Sequence, residues 1–208
     1  MMKLYYDETM NPRKVCAVAR YLDSPVDFIR VDLGKGQNKT PDFLALNPNA
    51  KVPVLQTGND VLWESNAIMC RLAQIAGSDL WPADDRQVEV VRWLFWDSQH
   101  FSRHGGSLYF EHIIRRKFGL GEPDAKAVDE AIGFMRRYFA VLDAHLQQQD
   151  FIVASKLSLA DFAVGVTLPY ADTAHIPLND FPAVRRWHDR LCALPGWLDP
   201  FPVERAAA

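Results

Sequence analysis

The hydrophobic positions change character partway along the chain. In the first third, short apolar runs that suit half-buried strands alternate with apolar positions three and four apart, the spacing of one helix face. Lys3–Tyr6 predicts a short strand on which Tyr5 and Tyr6 point to opposite faces. Asn11-Pro12 predicts a helix start, with Asn as N-cap and Pro at the first helical position; Val15, Val18, Ala19 and Leu22 follow on one face. Val26–Val31 reads as a second strand, which makes a βαβ pattern. Thr40-Pro41 opens a second helix, and Asn47-Pro48 closes it because the residue before proline resists helical geometry. Val52–Leu55 and Val61–Trp63 flank Thr57-Gly58-Asn59-Asp60 as a hairpin, although Pro53 has no N–H to give a sheet ladder. Ser65 caps a third helix that carries Ile68, Leu72 and Ile75.

The predicted order is therefore β-α-β-α-β-β-α over residues 1–76. The stretch 77–85 breaks the pattern and reads as a linker, and residues 86–208 are helical in character. Val88–Phe101 is rich in aromatics, Ala125–Leu146 repeats Val128, Ile132, Met135, Phe139 and Leu142 at helical spacing, and Ser158-Leu159-Ala160-Asp161 is a capping box. Pro182–Leu194 makes a last helix, and the proline-rich tail after it is expected along the surface. The fold class is α/β plus all-α, a small α/β domain followed by a helical bundle.

Composition narrows the chemistry. A net charge of −3 leaves no basic footprint for nucleic acid, and the short arginine clusters read as solvated helix faces. No apolar run has the length of a membrane span, and the N-terminus lacks the apolar stretch of a signal peptide. Cys16, Cys70 and Cys192 form no CxxC pair, which fits a reducing cytoplasm and speaks against a dithiol redox motif. His100 and His104 stand one turn apart, but HFSRH lacks the glutamate of HExxH and a third ligand, so no metal is expected.

Four stretches resemble the motifs of cytosolic glutathione transferases: Thr9-Met10-Asn11-Pro12-Arg13-Lys14-Val15, Asn47-Pro48-Asn49-Ala50-Lys51-Val52-Pro53-Val54-Leu55, Trp63-Glu64-Ser65-Asn66-Ala67-Ile68 and Ser158-Leu159-Ala160-Asp161-Phe162. The likeness covers essentially the whole chain. Thr9 and Asn11 ahead of Pro-Arg-Lys-Val are most similar to bacterial, Nu-like members that use Thr and Asn.

The resemblance implies a thioredoxin-like, glutathione-binding first domain, a helical domain lining an electrophile pocket, and a homodimer. It implies a cis Val52–Pro53 bond, with Val52 pairing its main chain to the cysteinyl part of glutathione as a strand would. Ser65 at its helix start suits the γ-glutamyl carboxylate, and Glu64 the ammonium. Lys51, with Lys39 or Gln37, suits the glycyl carboxylate; Asp97 is a further candidate for the ammonium. Lowering a thiol pKa by two units takes about 2.7 kcal/mol of anion stabilisation. Asn11 and Thr9 are the first candidates to supply it and Tyr6 the third, since no cysteine or serine lies between residues 7 and 12. Arg13 and Lys14, cations in the first helical turn, oppose the helix dipole there.

Trp96, His100, Phe101, His104 and Tyr109 are the implied electrophile pocket, although the same aromatic stripe also fits a helical core. The implied activity joins glutathione, as co-substrate and without a metal, to a small hydrophobic electrophile, or uses it to reduce a peroxide or disulfide. A non-catalytic binding or scaffold protein of the same fold is the alternative.

Overall fold

In the computed structural model, residues 1–202 are described; the end of the tail, 203–208, lies outside the described residues. The alternating first third builds a four-stranded sheet from β1 (Met2–Tyr6), β2 (Val26–Arg30), β3 (Val54–Thr57) and β4 (Asp60–Trp63), in the order β2-β1-β3-β4. β2 runs parallel to β1 and is joined to it by α1 (Met10–Tyr21), as a crossover requires. β3 and β4 are antiparallel neighbours, and Val54 stands opposite Tyr5 on one side and Trp63 on the other. α1 packs against α3 (Ser65–Ile75), and α2 (Pro41–Leu46) stands between β2 and β3 in sequence. Leu4, Val15, Val18, Leu55, Ile68 and Leu72 are buried in this layer.

Three local starts differ from the sequence reading. α1 begins at Met10 with Thr9 as its N-cap, so Asn11 and Pro12 lie inside the first turn. The first N–H groups of a helix have no intrahelical partner, and a proline there removes nothing. β3 begins only at Val54, so Pro53 precedes the ladder rather than interrupting it. Glu64 is the N-cap of α3, and Ser65 is its first helical residue.

The chain divides into two compact units, Met1–Ser78 together with the stretch from Leu194, and Asp79–Ala193. The tail does not run along the surface as expected. Trp197 is fully buried, and two arginines of α1 donate to carbonyls of the proline-rich tail. Arg13 Nη2 donates to Trp197 O (2.5 Å) and Leu198 O (3.2 Å); Arg20 donates to Pro200 O (2.8 Å) and Phe201 O (2.7 Å). Gly196 permits the approach, because at its φ of +71° a Cβ would stand 2.7 Å from Arg20 Cβ.

In the second unit, α4 (Arg86–Trp96), α5 (Ser102–Tyr109) and α6 (Arg115–Phe118) follow one another, joined by the π-helical segments Asp97–Phe101 and Phe110–Ile114. α7 (Ala125–Leu146) is capped by Asp124 and buries Met135, Phe139 and Leu142 at the expected spacing. The capping box starts α8 (Leu159–Val164), and α9 (Pro182–Cys192) closes the unit. Asp161 is fully buried and accepts from Ile152 N, Ser158 N, Ser158 Oγ and Trp187 Nε1 at 2.8–3.0 Å, which ties α8 to α9 and to the loop before it. Burial nonetheless pushes its carboxyl up to about 6. Gly105 lets α5 approach Thr167, whose Cγ2 would stand 2.8 Å from a Cβ.

Candidate active site

The turn between α2 and β3 carries the chain past one end of the sheet, and a network of asparagines shapes it. Asn47 is buried; its Nδ2 donates to Lys51 O (2.7 Å), and its Oδ1 accepts from Asn49 N (3.0 Å) and Asn49 Nδ2 (2.9 Å). Asn38 Nδ2 donates to Ala50 O at 2.8 Å, beside the left-handed φ of +54° at Ala50. The Val52–Pro53 bond is cis. Between these clamps and the start of β3, the main chain of Val52 makes no hydrogen bond among the described residues.

Val52 borders a trench of about 160 Å³ that Asn11, Lys51, Pro53, Glu64 and Ser65 also line. Asn47 and Asn49 complete its wall. The unpaired main chain of Val52 therefore shares the trench with the N-terminus of α3, an eleven-residue helix whose first N–H groups and positive dipole end favour an anion. Glu64 takes φ +74°, a backbone conformation that costs a non-glycine residue roughly 1–3 kcal/mol and persists where the surroundings impose it. Lys51 and Glu64 give the trench one positive and one negative side chain, both exposed.

Of the residues singled out from the sequence, Asn11, Lys51, Val52, Pro53, Glu64 and Ser65 meet in this one trench. Thr9, two residues before Asn11 at the N-cap of α1, does not line the trench, and its side chain makes no capping bond. Tyr6 is buried, stacked on Phe201 (centroids 5.9 Å) and edge-on to Phe28 (6.0 Å). Lys39 is exposed in the single 3₁₀ turn Gln37–Lys39. Arg13, expected to set its charge against the dipole of α1, is instead buried and taken up by the tail carbonyls.

The five aromatic positions of the second unit form a seam between 96–109 and the neighbouring helices. Phe101 is fully buried between Trp96 (5.4 Å) and Phe139 (5.0 Å). His100 stacks on Tyr138 and His104 on Phe134, both from α7, while Tyr109 is edge-on to Tyr170. Trp96 also borders a cavity of about 350 Å³ with Trp93 and His145.

Asp7 escaped the sequence reading, as did the inward hydrogen bonding of Asn47. Asp7 is buried, accepts from Glu8 N and Leu33 N, and pairs with Arg30 at 3.6 Å. From sequence, Asn47 reads only as the end of α2, and nothing local shows that its amide turns back to Lys51. Two of the thiols offer no nucleophile: desolvation raises the buried Cys16 to about 12 and the half-buried Cys70 to about 11. No cluster of three metal-ligating side chains occurs among the described residues, and none of the described helices is long and apolar enough to cross a membrane.

Chemically, the trench suits an extended, zwitterionic peptide: a main-chain edge, an anion site, one cation, one carboxylate and an amide. The family models of the glutathione S-transferase N-terminal domain and C-terminal domain match residues 2–74 and 95–195. The chain is 32% identical to glutathione S-transferase 3 of Zea mays over 201 residues, covering 92% of this chain and 90% of that protein. It is 27% identical over 203 residues to the disulfide-bond oxidoreductase YfcG of Escherichia coli K12, covering 94% and 92%. Among solved structures, a possible glutathione S-transferase from Rhodopseudomonas palustris superposes with a TM-score of 0.87 at 32% identity, over 96% of this chain and 97% of that one.

Proposed function

The chain belongs to the glutathione S-transferase family and is a glutathione transferase; from that premise we propose that glutathione lies in the Val52 trench as an added strand. The unpartnered main chain of Val52 carries this reading. It offers one N–H and one C=O to the cysteinyl residue, as an edge strand offers them to a neighbour. The γ-glutamyl carboxylate meets the first N–H groups of α3 and the Ser65 hydroxyl, and Glu64 meets its ammonium. Lys51 takes the glycyl carboxylate, with Lys39 a second cation for the same group.

The thiol then points toward the start of α1. The Asn11 amide is its first donor, the Thr9 hydroxyl the second and Tyr6 the third. Donors that favour the anion convert the thiol to thiolate near neutral pH, and the helix N-terminus adds its field. The thiolate attacks the electrophilic carbon of a small hydrophobic substrate; a C–S bond forms as the leaving group departs or the π-bond is protonated. Trp96, His100, His104 and Tyr109 are proposed to contact that substrate, with the buried Phe101 packed behind Trp96. The working form is a homodimer in the cytoplasm, with glutathione as co-substrate and no metal.

Disulfide reduction is the second reading, favoured by similarity to the Escherichia coli oxidoreductase, while desolvation keeps Cys16 and Cys70 in the thiol form. With no reactive protein thiol from those two, two glutathiones supply both electrons: one forms a mixed disulfide with the substrate, and the second releases it as oxidised glutathione. Calorimetry with glutathione on the wild type and Lys51→Ala tests the trench, and assays with halo-aromatics, hydroperoxides and hydroxyethyl disulfide separate the activities. No heat with glutathione would leave only a scaffold.

A further inference from the structure

Asp7 is a charged residue directly after an apolar strand, and it is buried although it does not line the trench. A buried carboxylate is costly unless donors surround it. Oδ1 accepts from Glu8 N at 2.9 Å, with Arg30 Nε 3.6 Å away, and Oδ2 accepts from Leu33 N at 3.2 Å. The Asp7 carbonyl accepts from Thr9 N at 2.7 Å. One residue therefore grips two separate stretches of chain, the turn into α1 and the loop after β2.

Each stretch leads to groups that the glutathione reaction uses. Thr9 O takes the first bond of α1, from Arg13 N at 3.0 Å, so the turn that Asp7 closes sets where Thr9 and Asn11 stand. Leu33 belongs to the loop 32–40, which is closed on itself. Asp32 N donates to Gln37 Oε1 (2.8 Å) and Gln37 N to Asp32 O (3.1 Å), with Gly36 at φ +69° between them. Asn38 Nδ2 ties the far end of the loop to Ala50 O at 2.8 Å, and Lys39 follows it. Leu33 hangs this unit on Asp7. No other side chain fills the same place: Asn has one acceptor oxygen for the two N–H groups, and Glu reaches one methylene further.

Resting on glutathione in the Val52 trench, we propose that Asp7 is a positioning residue for its reaction, holding the thiol donors at the start of α1 and the glycyl-carboxylate cation Lys39 in one register. It touches neither end of the tripeptide and acts through Thr9, Asn11 and Lys39. A misplacement of about 1 Å at such groups is enough to cost a large factor in rate or binding.

The two arms are read separately. Calorimetry compares glutathione with γ-glutamylcysteinamide, which lacks the glycyl carboxylate, and thiolate absorbance gives the pKa of bound glutathione. The wild type is expected to prefer glutathione by about tenfold. Asp7→Asn should cut that preference about threefold or more and raise the thiol pKa by about half a unit. Adding Lys39→Ala to Asp7→Asn should then cost less than Lys39→Ala alone, because the two share one arm. Asp7→Glu, which keeps the charge and shifts the carboxylate, should move both readouts the same way and covers a failure of Asp7→Asn to fold. Asp143→Asn removes a comparable carboxylate from Ala183 N and Val184 N in the helical unit, and should lower stability while leaving both readouts alone.

An equal loss for both ligands with an unchanged thiol pKa would make Asp7 a purely structural carboxylate and overturn the assignment. A fall in thiol pKa in Asp7→Asn with none in Asp7→Glu would do the same, since the carboxylate would then act through its field. Wild type that binds no glutathione would instead remove the trench reading itself, and this role with it.

Discussion

Asn47 Nδ2 donates to the carbonyl of Lys51 across 2.7 Å, and this bond holds the turn that brings Lys51 and Val52 to the trench. Asn47→Ala removes that donor and the acceptor for Asn49, a loss of about 0.5–1.5 kcal/mol for each of these part-buried bonds. Urea unfolding is expected to register that loss. KM for glutathione should rise about tenfold with a smaller change in kcat, because the residue shapes the turn and does not touch the thiol. Unchanged KM would separate Asn47 from glutathione binding.

The thiol donors can be ranked by one spectroscopic quantity, the pKa of bound glutathione read from thiolate absorbance. Asn11→Ala is expected to raise it by about one unit, Thr9→Ala by less, and Tyr6→Phe least, each unit corresponding to about 1.4 kcal/mol. A larger shift for Tyr6→Phe would reverse the order and make the strand-end tyrosine the main partner.

Glu64 has two roles that pull apart. Glycine adopts φ +74° without a Cβ penalty, so Glu64→Gly should leave stability unchanged or raise it by up to about 1 kcal/mol. Glutathione affinity should fall about tenfold, since the ammonium loses its carboxylate. If affinity holds while stability rises, the strain serves something other than the tripeptide.

Cys16 and Cys70, raised to about 12 and about 11, are almost wholly thiol at pH 7.5. Peptide mapping after iodoacetamide treatment of the native protein should show both modified about a hundredfold or more slowly than a free thiol, with activity retained. Rapid loss of activity that tracks modification of either would contradict a glutathione-borne reaction.

Asp161 gives a pH signature. Its carboxyl stands at about 6 in the folded chain against an ordinary 3.8, so the native state holds the proton more tightly than the unfolded chain. The stabilisation from that proton is fully present below pH 3.8 and is lost as pH rises through about 6, a span worth about 3 kcal/mol. Subtracting the unfolding profile of Asp161→Asn from that of the wild type isolates the slope; stability that grew with pH would mean that the four donors outweigh burial.

Local interactions made much of this protein legible. The periods of two and 3.6, the caps at Thr40 and Ser158, and the turn at Gly58 each act within a few residues, so β-α-β-α-β-β-α and the helices after it follow from the sequence alone. The motif residues around Pro53 and Ser65 also announce themselves, because two of the stretches that line the trench lie close together in the chain. Tertiary structure decided what depends on distant partners. Arg13 and Arg20 meet carbonyls about 180 residues away, which buries a tail that looks exposed. Asn47 turns inward to a loop, Phe101 becomes core instead of open wall, and His112 comes to face His175 through a π-helical segment with no sequence signal of its own. An amide, a ring or a guanidinium carries no mark of its partner along the chain; only the packing of separate elements selects it.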